Sequence, residues 1–107
     1  MTMRTTRPRF TKAQILRALK KNDELLKQYS VRRIGLFGSY ARGKQMPTSD
    51  IDFIVEFERP THDNLYGLCV SLEKLFKRKV EVLTPDAVDS IRVDEVARSI
   101  RESVVYV

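Results

Sequence analysis

The chain has 107 residues, one cysteine and a net charge of +6 at neutral pH, with 42% hydrophobic and 32% charged residues. That length predicts one domain, and the balance of apolar and charged residues excludes a disordered chain; no apolar run approaches the roughly 20 residues needed to cross a bilayer. The single Cys69 excludes an internal disulfide and, with no apolar stretch near Met1, predicts a cytoplasmic protein with no membrane association.

Residues 1–10 are expected to form a basic tail carrying Arg4, Arg7 and Arg9, and 11–107 the folded domain. The pI near 9.7 predicts an anionic partner: a nucleotide, a nucleic acid or an acidic protein. The same cations, continued by Lys12, Lys20, Lys21, Lys27, Arg32 and Arg33, equally fit a frayed tail and a solvated helix face. Neither a helix-turn-helix nor a zinc pattern accompanies them.

Thr11-Lys12-Ala13-Gln14 matches a capping box. It predicts a helix running to about Tyr29, with Ile15, Leu16, Leu19 and Leu26 on one side. Val31 to Phe37 reads as a strand that runs into Gly38. Ser39 to Gly43 is a short helical turn with Gly43 as its stop, and Lys44 to Ser49, marked by Pro47, is a loop. Asp50 to Phe57 is a second strand, and its continuous apolar character after Asp52 predicts a central position. After Pro60, Asp63 to Phe76 is an amphipathic helix with Leu65, Leu68, Cys69, Leu72, Leu75 and Phe76 on one face. Lys79 to Leu83 is a third strand, Pro85 and Asp86 open a helical stretch, Asp94 to Glu102 forms another helix, and Val104 to Val107 is a last short strand. This alternation predicts an α/β (α+β) sandwich, a small mixed sheet with helices packed against it.

The chemistry concentrates around Gly38 and Asp50. A strand that ends in Gly and turns into a helix can aim backbone N–H groups at a phosphate. Gly38 allows close approach, Ser39 adds a hydroxyl, and Arg42 brings a positive charge one turn later; alone, Gly-Ser is only a turn. Asp50 and Asp52 share one face of a strand heading into the core, with Cα atoms about 6.5 Å apart. Like charges that close resist joint ionisation unless a cation lies between them. Glu81, flanked by Val80 and Val82, completes a three-carboxylate cluster if the second and third strands are neighbours, and otherwise is a solvent-facing edge residue. Two Mg²⁺ ions, about 3.5–4 Å apart, would relieve the repulsion of three acids. Lone His62 is read as an exposed helix-entry residue, Cys69 as core, and Tyr40 either as packing behind the turn or as a neighbour of a nucleotide base.

Gly38-Ser39, ten residues, then Asp50-Ile51-Asp52 resembles the nucleotidyltransferases of the DNA polymerase β superfamily. With each fixed residue at roughly 5–7% of average usage, chance gives such a match in about one chain in a thousand of this length. Gly38-Ser39-Tyr40-Ala41-Arg42-Gly43 is similar to the Gly-Ser-x-Ala-Arg-Gly form of the minimal nucleotidyltransferases, the MNT proteins. Lys79 to Pro85 resembles their third-acid strand and Ile100 to Tyr106 their C-terminal ending, so the likeness covers nearly all the chain after residue 10. Glu81 departs from the pattern, since this group commonly carries Asp there.

The resemblance implies a polymerase β palm-like nucleotidyltransferase fold and the transfer of AMP from ATP to a hydroxyl, releasing pyrophosphate. It implies Gly38, Ser39, Arg42 and Ser49 as nucleotide-binding residues, and Asp50, Asp52 and Glu81 as both catalytic residues and Mg²⁺ ligands. Because many MNT proteins pair with a HEPN-domain RNase toxin, it also implies such a toxin as partner, with a tyrosine as acceptor. Two alternatives stand beside this reading: a binding module that neutralises a toxin by occlusion, and nucleotidylation of an RNA end or small molecule. The absence of a separate substrate domain counts against the last.

Overall fold

The capping box expected at Thr11 starts the first helix, α1 (Lys12–Lys21). Thr11 Oγ1 accepts from Gln14 N at 3.2 Å, and Gln14 Oε1 accepts from Thr11 N at 3.0 Å. The structure is a computed structural model describing residues 10–107, so Arg4, Arg7, Arg9 and most of the expected tail lie outside the described residues. The single helix expected to reach Tyr29 is instead two, because α2 (Asp23–Gln28) follows a break at Asn22. The Asn22 amide donates back to Ala18 O at 2.8 Å while its backbone leaves the helical region. Such local side-chain bonding competes with the helix ladder, and Asp23 and Glu24 then favour a new helix N-terminus.

Four strands follow: β1 (Val31–Phe37), β2 (Ile51–Phe57), β3 (Val80–Leu83) and β4 (Val105–Tyr106). They form one mixed sheet in the order β3-β2-β1-β4, so β2 is interior as its apolar run predicted. It runs antiparallel to β1 and parallel to β3, and β4 is antiparallel to β1. The parallel pair requires a crossover, which α4 (His62–Phe76) supplies. Thr61 caps it by accepting from Asn64 N at 3.1 Å, and exposed His62 is its first residue. The remaining helices are α3 (Gly38–Arg42), α5 (Pro85–Asp89) and α6 (Asp94–Ser103). Among the described residues no helix is long and apolar enough to cross a membrane.

Strand alternation sorts the core into two layers. On one face Ile51, Phe53 and Val55 of β2 are fully buried with Ile15, Leu19, Leu68, Leu72 and Phe76 from the helices. Burial of such a side chain contributes about 1.5–3 kcal/mol. Tyr40 is 1% exposed in this layer, so of its two readings the structure supports packing behind the turn. Cys69 packs against the same layer, and its thiol is pushed above its ordinary value by burial and by Glu73. The opposite face carries a smaller cluster of Phe37, Ile54, Val88 and Ala97, covered by α5 and α6. Asp52 and Glu81 lie on that second face, one strand repeat before Ile54 and Leu83.

Candidate active site

Strand register brings the carboxylates together. Asp52 is opposite Glu81 in the parallel pairing of β2 with β3, and opposite Phe37 in the antiparallel pairing with β1. Asp50 stands just ahead of β2, exposed, and Ile51 N donates to Lys79 O at 3.1 Å beside it. Glu81 is also exposed, whereas Asp52 is half-buried.

The Asp52 carboxyl is pushed up from 3.8 to about 6. Burial is the largest cause, followed by the charge of Glu81, the charge of Asp50, and a hydrogen bond with Glu81. The three acids expected to act as a group therefore interact electrostatically. Among the described residues, however, no group of three or more His, Cys, Asp or Glu side chains is arranged to hold a metal ion unaided. Mg²⁺ commonly takes one or two carboxylates and completes its shell with substrate phosphates and water. A half-buried carboxyl resisting ionisation between two others is a donor set that a divalent cation suits.

The glycine turn lies against this cluster. β1 ends at Phe37, and Gly38 takes φ 76°, a left-handed conformation. A Cβ at Gly38 would collide with Asp52 Oδ2, so only glycine lets the turn approach the carboxylate this closely. α3 then runs one turn to Gly43, which closes it in the left-handed conformation expected of a C-terminal stop. Lys44 N donates to Ser39 O at 2.9 Å.

The other expected nucleotide residues are placed differently. Arg42 donates from Nη2 to Ser99 Oγ and, at 3.4 Å, to Ser99 O, which turns its guanidinium toward α6. Ser49 Oγ accepts from Met46 N at 2.8 Å and so closes its own loop. Beyond it opens a basin of about 620 Å³ lined by Thr48, Ser49, Asp50, Lys77 and Lys79 among others. Ser103 of α6 was not singled out by sequence, yet its Oγ accepts from Gly38 N at 3.4 Å. A lone serine 65 residues downstream of the glycine carries no pattern that marks it.

Comparison with known proteins gives the family by sequence and the fold by structure. The family model described as a nucleotidyltransferase domain matches residues 14–107. A Methanocaldococcus jannaschii protein named as a candidate protein adenylyltransferase is 41% identical over 101 residues, spanning 91% of this chain and 98% of that protein. The protein adenylyltransferase MntA of Thermococcus cleftensis is 37% identical over 94 residues, spanning 87% of this chain and 89% of its own. In three dimensions the chain is similar to a structure assigned as a minimal nucleotidyltransferase, with a TM-score of 0.69, 21% identity, and coverage of 90% and 95%. It is also similar to a chain of the Shewanella oneidensis complex of an MNT antitoxin with a tri-AMPylated HEPN toxin, with a TM-score of 0.55, 18% identity, and coverage of 83% and 67%. At those identities the structural likenesses carry the fold alone.

Proposed function

The chain belongs to the nucleotidyltransferase domain family, and from that premise we propose that it transfers AMP from ATP to a hydroxyl of a cognate HEPN-domain toxin, a tyrosine by preference, and so neutralises it. The observation that carries this reading is the meeting of the Gly38 turn with the Asp52 carboxylate, opposite Glu81. A phosphate held at the turn stands next to the acids. The names of two relatives, both protein adenylyltransferases by designation, support a protein acceptor. The toxin–antitoxin complex of similar fold supports the kind of partner.

In the proposed mechanism Ser39, on the turn that Gly38 brings against Asp52, receives the outer phosphates, and Arg42 neutralises charge that builds on the leaving pyrophosphate. Asp50, Asp52 and Glu81 would hold Mg²⁺, whose chemistry there is to offset phosphate charge and acidify the acceptor hydroxyl. Glu81, exposed at the open end of its face, takes the acceptor's proton. The acceptor oxygen forms a bond to the α-phosphorus, the bond from that phosphorus to the bridging oxygen breaks, and pyrophosphate leaves. Burial of Asp52 fixes the direction of one carboxylate before any ligand arrives, which is how positioning contributes to rate.

The chain is mixed with the toxin encoded beside it, ATP and Mg²⁺, and the toxin is weighed by intact-mass spectrometry. The expected result is a mass increase by one or more AMP units together with loss of RNase activity. Neutralisation that persists without any mass increase, and in a folded Asp50→Ala, Asp52→Ala variant, would replace transfer by occlusion.

A further inference from the structure

α6 touches both ends of α3, and does so through two serines one helical turn apart. Ser99 meets Arg42 at the last residue of α3, and Ser103 meets Gly38 at its first. Residues at i and i+4 lie on one face of a helix, so a single stripe of α6 spans the whole of α3. Between the two elements lies a cavity of about 280 Å³, with Phe37, Val96 and Ile100 contributing its apolar wall.

We propose that Ser99 and Ser103 are positioning residues, a brace that sets the α3 turn and the Arg42 guanidinium for the nucleotide. The inference rests on the nucleotidyltransferase reading above. Hydrogen-bond directions support it. Ser103 Oγ donates its one proton to Ile100 O at 3.1 Å, which leaves a lone pair to accept from Gly38 N–H. That N–H is therefore committed to α6, and the role of Gly38 toward a ligand is steric: it brings the turn against Asp52 without a Cβ. Ser99 anchors Arg42 at one nitrogen, Nη2. A guanidinium carries five N–H donors in a planar fork, so an anchor at one nitrogen directs the plane without consuming it. Side-chain entropy is the reason an anchor matters, since an arginine loses rotamer freedom when it is fixed. Ser99 takes up that ordering before the triphosphate binds.

The test is a double-mutant cycle read by titration calorimetry with a non-hydrolysable ATP analogue and MgCl₂. Ser99→Ala is expected to weaken binding about 5-fold, the equivalent of one ordinary hydrogen bond, and Arg42→Ala by more. The Arg42→Ala, Ser99→Ala pair should bind no more weakly than Arg42→Ala alone, because Ser99 acts through Arg42. Ser103→Ala should weaken the analogue to a similar degree with little change in melting temperature, and Ser103→Thr should restore it. In the transfer assay Ser99→Ala should lower kcat as well as raise KM for ATP, because Arg42 meets charge that develops as pyrophosphate leaves, whereas Ser103→Ala should fall mainly on KM. The brace is overturned if Ser99→Ala multiplies the Arg42→Ala defect, or if both serine variants bind as the unaltered chain does. If the unaltered chain does not bind the analogue, the nucleotide reading itself fails and this inference goes with it.

Discussion

Replacing Asp52 by asparagine should make the protein more stable and inactive together. The carboxyl stands at about 6 where its ordinary value is 3.8. That difference corresponds to about 3 kcal/mol against the ionised form. Asp52 is only half-buried, so solvent screening reduces it to about 1–2 kcal/mol. The sign follows from proton linkage: a carboxyl whose folded value is raised holds its proton more tightly in the folded state, so stability falls as pH rises from 3.8 through 6. Above that window the unaltered protein carries the whole penalty, and below it carries none. A carboxamide cannot ionise, so the gain from Asp52→Asn is full at neutral pH and vanishes toward pH 4. For a domain of this size 1–2 kcal/mol is about 4–8 °C in Tm. Differential scanning calorimetry in EDTA at pH 7.5 and at pH 4 measures both values. AMP transfer by the same variant should fall by about a thousandfold or more, as expected when charge stabilisation at the reacting centre is lost. A Tm at pH 7.5 equal to or below that of the unaltered protein would refute the crowding of carboxylates, as would a gain of equal size at both pH values.

Other outcomes follow from the same geometry. Glu81→Gln removes the largest charge acting on Asp52, so the Asp52 carboxyl should titrate below its value in the unaltered protein, read by carboxyl-carbon NMR; an unchanged midpoint would refute the coupling of Glu81 to Asp52. Gly38→Ala places a methyl against Asp52 Oδ2 in a left-handed turn, and should cost about 1–3 kcal/mol of stability and abolish nucleotide binding; denaturant melts and analogue titration check both. Leu72→Ala opens a cavity in the layer opposite the carboxylates and should cost about 2–5 kcal/mol, while near-normal kcat in the surviving folded fraction is expected at low temperature.

Residues that act within one element were readable from sequence, whereas the strand pairing that brings the acids together was legible only as a condition. The capping box, the Gly43 stop and the apolar face of α4 each declare themselves within a few positions. A third acid flanked by valines made Glu81 a partner for Asp52 only if the second and third strands paired, and the parallel register of β2 with β3 supplies that condition. The break at Asn22 was hidden because apolar spacing continues across it, from Leu19 to Leu26, while one amide–carbonyl bond ends the helix. The contacts of Arg42 and Ser103 were hidden for a different reason. Which way an arginine leaves a one-turn helix is decided by what packs beside it, and the partner comes from 57 residues further along the chain.

The two-residue period of β2 separates stability from chemistry by side. Ile51, Phe53 and Val55 secure the strand to the larger apolar layer, while Asp52 between them faces the other way. The larger layer can thus be repacked, filled or made more heat-resistant without a single new atom entering the reaction space. An engineer seeking a tougher enzyme and one seeking a different substrate would work on opposite sides of the same seven residues.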